Sequence, residues 1–188
     1  TTLIKDLDYF VPYFEPMHHH YYCFLSGLFA IINGQYVEAL TFFSKAQTYQ
    51  RNGHILFHIA SSEYLFGNYL RSIDIGNEAF TLLSLEGNIH YTLEMTQILA
   101  AAYSNIKQLQ SAIGLYKRLL HMGTYLKDDI RLNSVYYNLG ATYLVCHEYA
   151  LAQNMLCKLE PFMDRFDDWQ WLLISQKMIL CDIALKCD

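Results

Sequence analysis

The residues of this sequence that could do chemistry are histidines, cysteines and clustered carboxylates. His54 and His58 stand four residues apart, a spacing that places two imidazoles on one helix face, where they could share a metal ion. No carboxylate or third histidine follows at a set distance, and the HExxH pattern of metalloproteases is absent. We therefore expect the two histidines to line a groove, and we predict no metal site and no cofactor.

Two cysteine–histidine combinations could supply a thiol nucleophile with a base. Cys146 adjoins His147 and Cys23 lies near His20, but neighbours in sequence point to different sides of a helix. The five cysteines are odd in number and form no CxxC pair, which predicts reduced, small apolar side chains. The clustered aspartates after residues 127 and 163 are expected at helix starts, where the helix dipole favours anions. The sequence thus predicts no catalytic residue and no enzyme activity.

Composition excludes several classes of protein. The chain has 188 residues, 53% hydrophobic, 15% aromatic and 16% charged, with a net charge of −5. The many aromatics argue against a disordered chain, and the negative charge gives no basic surface for nucleic-acid phosphates. The apolar centre of the longest uncharged run, residues 21–32, is shorter than the about 20 residues that a membrane-spanning helix needs. Since residues 1–10 also lack a secretory signal, we expect a cytoplasmic protein without membrane contact.

The elements that must position these residues are helices. Residues 17–160 contain no proline, and apolar side chains recur at three- and four-residue steps, as in Leu28, Ile31 and Ile32. The two-residue alternation typical of strands is missing. The sequence therefore predicts an all-α chain with short turns.

Four segments of this chain align with one another without a gap. They are residues 26–46, 59–79, 99–119 and 139–159. A small residue recurs at two positions of the alignment. The first position holds Gly27, Ala60, Ala100 and Gly140, and the second holds Ala39, Ser72, Ala112 and Ala152. A bulky residue follows each turn, at Tyr36, Tyr69, Leu109 and Tyr149. Small residues let two helices approach closely, and each helical hairpin leaves an apolar face that only a neighbouring hairpin can cover.

The pattern resembles the tetratricopeptide repeat (TPR) family over residues 21–159. That resemblance implies an all-α, TPR-like helical-hairpin solenoid forming a single domain over residues 1–188. We expect hairpins at 20–51, 53–85, 90–122 and 130–163 and a terminal helix at 168–186, capped by Asp167 or Asp168. Equivalent residues lie 33 apart between the first two repeats and 40 apart afterwards, so the extra residues lengthen either helices or loops. Residues 2–15 are expected to form a short helix.

In TPR hairpins the first helices line the concave surface, and the resemblance therefore implies where a ligand would bind. Asn138 is the leading candidate because it is polar within the apolar run VYYNLGATYLV; the alternative is a buried amide that pairs with a neighbouring carbonyl. Some of the aromatic candidates are expected to hold hairpins together instead. The predicted peptide-binding residues are Tyr21, Phe24, His54, Phe57, His58, Tyr64, Glu94, Gln97, Asn105, Tyr137 and Asn138.

No first helix carries a basic residue on its concave side, unlike the TPR co-chaperones that clamp a carboxylate terminus. The 40-residue spacing and the groove amides resemble the TPR sensor domains of Gram-positive peptide-pheromone receptors (the Rap, Rgg, NprR, PlcR and PrgX group). This resemblance implies a short peptide ligand, a homodimer, and a helix-turn-helix domain before this chain through which DNA would be bound. The expected function is the peptide-sensing domain of a cytosolic bacterial transcriptional regulator. The alternative is a scaffold or chaperone that binds an extended segment of a larger partner protein.

Overall fold

The computed structural model describes residues 7 and 9–187, and within them the chain is helical without strands. This confirms the predicted all-α, TPR-like fold. Residues 2–6 and 8 of the expected amino-terminal helix lie outside the described residues, and a 3-10 helix covers Val11–Tyr13. The α-helices are α1 Pro16–Ile32, α2 Tyr36–Tyr49, α3 Gly53–Phe66, α4 Tyr69–Leu85, α5 Ile89–Asn105, α6 Leu109–Leu126, α7 Asp129–Val145, α8 Tyr149–Cys157 and α9 Asp168–Cys187.

The chain divides into two compact units between Ala102 and Tyr103. In the first unit α1 packs on α2, α2 on α3, and α3 on α4. Its core includes Phe43 and Leu83, whose side chains are fully buried. A Cβ atom on Gly27 would lie 2.6 Å from the Phe43 ring, so glycine is what lets α1 and α2 approach this closely.

In the second unit α6 packs on α7, α7 on α8, and α8 on α9. Leu156 fills the space that a Cβ on Gly140 would occupy, at 3.0 Å. A 3-10 helix, Glu160–Arg165, leads from α8 towards α9. Asp167 caps α9: its Oδ1 accepts a hydrogen bond from the Gln170 backbone N–H at 2.7 Å, while Gln170 Oε1 accepts one from the Asp167 N–H at 3.3 Å.

At the first of the two 40-residue steps, the extra residues lengthen helices and leave the loop unchanged. Helix α4 has 17 residues where α2 has 14, and α5 has 17 where α3 has 14. In the sequence alignment Leu93 is equivalent to Gly53, so α5 starts four residues earlier than α3 does. The loops at residues 50–52 and 86–88 have the same length. Each of the two helices has therefore gained about one turn.

Every first helix ends in the same turn. One or two residues after the helix end, the backbone adopts a left-handed conformation, at Gly34, Gly67, Lys107 and His147, with φ values of 72°, 93°, 64° and 61°. The next backbone N–H reaches back to a carbonyl five residues earlier: Gln35 to Ala30, Asn68 to Glu63, Gln108 to Tyr103 and Glu148 to Tyr143, at 2.8–3.0 Å. This is the Schellman arrangement, which satisfies carbonyl groups at a helix end. Two of the four turns achieve it without glycine.

Replacing Lys107 with glycine is therefore expected to raise the free energy of unfolding by about 0.5–1 kcal/mol. A side chain in the left-handed region costs about 1–2 kcal/mol, and the greater freedom of glycine in the unfolded chain cancels part of the gain. Urea unfolding followed by circular dichroism measures the change. The matched control is Lys117→Gly in the exposed middle of α6, which should lower stability by somewhat under 1 kcal/mol. A loss of similar size in both variants would contradict the interpretation of the turn.

Candidate functional site

The first helices present side chains at two equivalent positions that lie three residues apart, on one helix face. Most of these side chains are half-buried, with edges that reach the solvent, while Tyr21 is 56% exposed. The first position holds Tyr21, His54, Glu94 and Ser134, and the second holds Phe24, Phe57, Gln97 and Tyr137. Seven of these eight residues are candidates from the sequence. Ser134 is not among them, although its alignment with His54 and Glu94 could have identified it.

In the first unit, the candidates on α1 and α3 contact one another around His58. The His58 ring lies 5.2 Å from the Phe24 ring and 5.0 Å from the Phe57 ring, centroid to centroid, in edge-to-face arrangements. It also stacks on the buried Phe43 ring at 5.3 Å. Tyr91, at the start of α5, contacts the Phe57 ring edge-to-face at 5.0 Å. We call these five rings the imidazole–aromatic cluster.

His54 lies beside this cluster and is held by α5. The Asn88 side-chain N–H donates to His54 Nε2 at 2.8 Å, and the Tyr91 ring lies 4.2 Å from the imidazole. Asn88 Oδ1 accepts from the Tyr91 backbone N–H at 3.3 Å. Sequence reasoning missed Asn88 and Tyr91, since both fall in the extra residues before the third repeat. Among the described residues, no group of three or more His, Cys, Asp or Glu side chains is arranged to hold a metal ion.

Burial sets the charge of the imidazole–aromatic cluster. Burial, and to a smaller extent the nearby charge of His54, together lower the pKa of His58 from 6.5 to about 4. The His58 ring is therefore neutral at neutral pH. At that pH the face around it is apolar and aromatic.

The remaining candidates on α3 and α5 have partners inside the protein. The Tyr64 ring contacts the Tyr69 ring at 5.6 Å. Glu94 and Gln97 are half-buried, Asn105 is exposed, and each interacts with other protein groups. They are already part of the protein's own network of contacts.

The cysteines and histidines considered for nucleophilic chemistry lie apart from this face or have other partners. His20 is buried, and its Nδ1 lies at hydrogen-bonding distance, 3.2 Å, from the Ala46 carbonyl. Burial raises the pKa of the Cys23 thiol, which keeps it protonated at neutral pH. His147 occupies the turn after α7, with Nδ1 2.9 Å from the Tyr149 hydroxyl.

In the second unit, the candidate Tyr137 lines a cavity of about 480 Å³ between α7, the connector before α9, and α9. Asn138, the next residue, is half-buried on α7; its backbone carbonyl accepts from Thr142 Oγ1 at 2.7 Å, and within the described part of the chain its side chain has no hydrogen-bond partner. The sequence did not identify the other residues that line the cavity, which are Ile130, Asn133, Ser134, Arg165, Phe166, Gln170, Leu173 and Ile174. Those of α7 follow the spacing of one helix face, but those of the connector and α9 carry no repeat signal.

No helix of the described residues combines the length and the apolar character needed to cross a bilayer. No protein-family model and no curated protein matches the sequence.

Solved structures with the same fold include the quorum sensor NprR and RapI. Apo NprR from B. thuringiensis aligns with 97% of this chain at a TM-score of 0.87 and 17% identity, and NprR in complex with its cognate peptide NprX aligns with 97% at 0.78 and 18%. Apo RapI aligns with 97% of the chain at 0.83 and 14% identity. The chain spans about half the length of these proteins, 53–55%. BtubC from P. vanneervenii aligns with 97% of the chain at 0.70 and 15% identity, and the match covers 85% of BtubC. The chain is thus similar in fold to the quorum sensor NprR and to RapI.

Proposed function

We propose that this chain is a peptide-sensing domain that binds a short peptide along the first helices of its repeats. The observation that carries the proposal is the repeated face described above, where rings and amides at equivalent positions stay partly open to solvent. Aromatic rings supply apolar contacts at small entropic cost, and amide side chains pair with both donors and acceptors of a peptide backbone. The similarity to NprR, whose structure includes its peptide NprX, supports the same function.

We further propose that the domain belongs to a cytoplasmic bacterial transcriptional regulator that acts as a homodimer. DNA would then be bound by a helix-turn-helix domain outside these residues, and peptide binding would change the orientation of hairpins or protomers. The chain itself would be a binding domain without catalytic activity. Its net charge of −5 is consistent with this division, since a domain of this charge is poorly suited to DNA phosphates.

A second candidate function is a scaffold that holds an extended segment of a larger partner. The repeated rings and amides that support the first proposal suit this function as well, since they recognise an extended backbone whether it belongs to a free peptide or to a larger protein. The two functions differ in what is bound. A peptide sensor saturates with a short free peptide, whereas a scaffold requires the partner protein.

The decisive experiment is to identify the bound molecule. The chain is purified from a Gram-positive host, the ligand is released with acid, and the eluate is sequenced by mass spectrometry. A synthetic copy of any recovered peptide, labelled with fluorescein, is then titrated with the chain by fluorescence anisotropy. Saturable binding of one peptide per chain supports the proposal. Failure to recover or to bind any peptide of fewer than about a dozen residues, in repeated preparations, would overturn it.

Replacing Asn138 with alanine is expected to weaken binding of that peptide about tenfold. The amide has no partner within the described chain, and the loss of a hydrogen bond to a ligand backbone corresponds to about 1–1.5 kcal/mol. Anisotropy titration measures the affinity, and circular dichroism checks that helicity is retained. The matched control is Asn154→Ala, which removes an exposed amide from the second helix of the same hairpin. Equal affinities for wild type and Asn138→Ala would argue against this role.

A further inference from the structure

Helix α9 carries apolar side chains on two opposite sides. One side packs in the second unit, where Ile174 and Cys181 are buried. The other, which we call the open side of α9, has five apolar side chains that are 52–65% exposed: Trp169, Leu172, Ile179, Leu180 and Ile183. A helix that is apolar on all sides is normally covered on all sides. The open side of α9 therefore favours a further protein partner.

The open side differs from the face that the repeats use to pair their two helices. The twelfth residue after the N-cap of three first helices is small, at Gly27 of α1, Ala100 of α5 and Gly140 of α7. The second helix of the hairpin packs there, with Phe43 against α1 and Leu156 against α7. In α9, which Asp167 caps, the equivalent residue is Ile179. A helix that approached α9 as closely as in the hairpins would collide with that side chain.

The spacing of the residues on the open side is that of a two-stranded coiled coil. Steps of three and four residues alternate along Trp169, Leu172, Gln176, Ile179 and Ile183. The stripe is apolar except at its middle residue, the exposed Gln176. A single polar residue in such a stripe fixes the register, and an amide both donates and accepts, so it can pair with another copy of itself. These features fit a second copy of the same chain, which would present the same stripe.

The charges at the two ends of α9 favour an antiparallel arrangement. Asp168 lies in the first turn and Lys186 in the last, and both are exposed. In a parallel pair each would lie beside the same charge of the second copy, which is repulsive. In an antiparallel pair each Asp168 lies near Lys186 of the second copy, and the helix dipoles oppose. The two Gln176 amides then meet at the twofold axis, and Trp169 lies opposite Ile183 of the second copy.

The apolar area of the open side is sufficient for a dimer. From the usual areas of tryptophan and aliphatic side chains, the exposed parts of the five side chains offer roughly 400 Å² on each copy. Two copies would bury roughly 800 Å² of apolar surface. Because homodimer interfaces are about 65% apolar, the whole interface is roughly 1,200 Å². That area lies at the lower end of the range for stable, specific interfaces.

We infer that two copies of this chain associate through the open side of α9, with the two helices antiparallel. Leu172, Ile179 and Leu180 of each copy form the apolar centre on both sides of the paired Gln176 amides. In requiring a homodimer the inference rests on the function proposed above, and it adds the surface through which the two copies meet.

Sedimentation velocity of the 188-residue chain, at concentrations from about 1 to 100 μM, measures the association. We expect the wild type to dimerise with a dissociation constant in the micromolar range. Ile179→Glu should raise that constant about 100-fold or more, because a carboxylate would be buried against apolar side chains of the second copy. Ile183→Glu gives a second variant if Ile179→Glu fails to fold, and circular dichroism checks the helicity of both. The control is Leu85→Glu, at an exposed aliphatic residue of α4, which should leave the dimer unchanged.

Exchange of the end charges tests the direction of the helices. Asp168→Lys should weaken the dimer about fivefold, because it places two positive charges together at both ends of the interface. Adding Lys186→Glu to this variant should restore the wild-type affinity. Parallel helices would instead leave the affinity unchanged in both variants.

A wild-type chain that stays monomeric, a dimer that survives both glutamate variants, or a dimer insensitive to the charge exchange would each overturn the proposal. Peptide binding is measured independently, by the anisotropy titration described above. A monomeric chain that binds a short peptide would refute the interface and leave peptide sensing in place. A dimer that Ile179→Glu disrupts, in a chain that binds no short peptide, would give the reverse result.

Discussion

Replacing Phe43 with alanine is expected to lower the free energy of unfolding by about 3–5 kcal/mol. The ring is fully buried, fills the space above Gly27 and stacks on His58 at 5.3 Å. Because glycine has no side chain, Gly27 itself cannot fill the space that the ring vacates. Urea unfolding, followed by circular dichroism, gives the change in free energy.

The partner of this ring supplies a second measurement and the control. Gly27→Ala places a Cβ within 2.6 Å of the Phe43 ring and should cost about 1–3 kcal/mol by overpacking. In a Phe43→Leu background the same change should cost clearly less, because the smaller side chain leaves room for the Cβ. Gly114→Ala on α6, where no atom lies within 4 Å of the new Cβ, should be stabilising by about 0.5–1 kcal/mol. Additive costs for Gly27→Ala and Phe43→Leu would contradict this account of the contact.

Lowering the pH from 6.5 towards 4 is expected to remove about 3 kcal/mol of stability through His58 alone. Burial lowers the pKa of His58 in the folded chain to about 4, whereas the unfolded residue titrates near 6.5. Between these two pKa values, the unfolded chain binds a proton at this histidine and the folded chain does not. Stability from this group is therefore complete above pH 6.5 and is lost as the pH falls to the folded pKa.

Urea unfolding at several pH values between 4 and 7 measures this slope. His58→Phe keeps a ring in the cluster and removes the titrating group, so its stability should depend less steeply on pH over that range. His121→Gln, at an exposed position on α6, should leave the slope unchanged. The same slope in wild type and His58→Phe would refute the assignment.

The fold could be predicted from the sequence because the repeat itself carries the signal. Small residues such as Gly27 and Gly140 stand where helices approach closely, and the structure places Phe43 and Leu156 against them. The sequence left open whether the 40-residue repeats lengthen helices or loops. Longer helices and longer loops both leave the alignment of the four segments unchanged. The two possibilities differ only in where the helices end, which local turn geometry determines.

The candidate sites could be predicted only where residues occupy equivalent positions in the aligned repeats, which we call the repeat register. The register placed Phe24, Phe57 and His58 on one face, and they do lie together. It could not reveal that they contact one another, because the distance between rings depends on how neighbouring hairpins pack. Asn133 gave no signal at all, because the cavity that it lines is formed by α7 together with the connector and α9, and no pattern along one helix records that arrangement.

The equal loops at residues 50–52 and 86–88 bear on how such chains gain and lose residues in evolution. One added residue would rotate the next helix by about 100° and turn its apolar stripe away from its neighbour, and two or three would also misplace it. Here three residues are added at the end of α4 and four at the start of α5, which is close to one full turn in each helix. The apolar stripes of the two helices therefore still face their neighbours. Insertions and deletions at the junctions between these repeats should therefore be tolerated in blocks of about seven residues. Shorter ones should impair folding and be removed by selection.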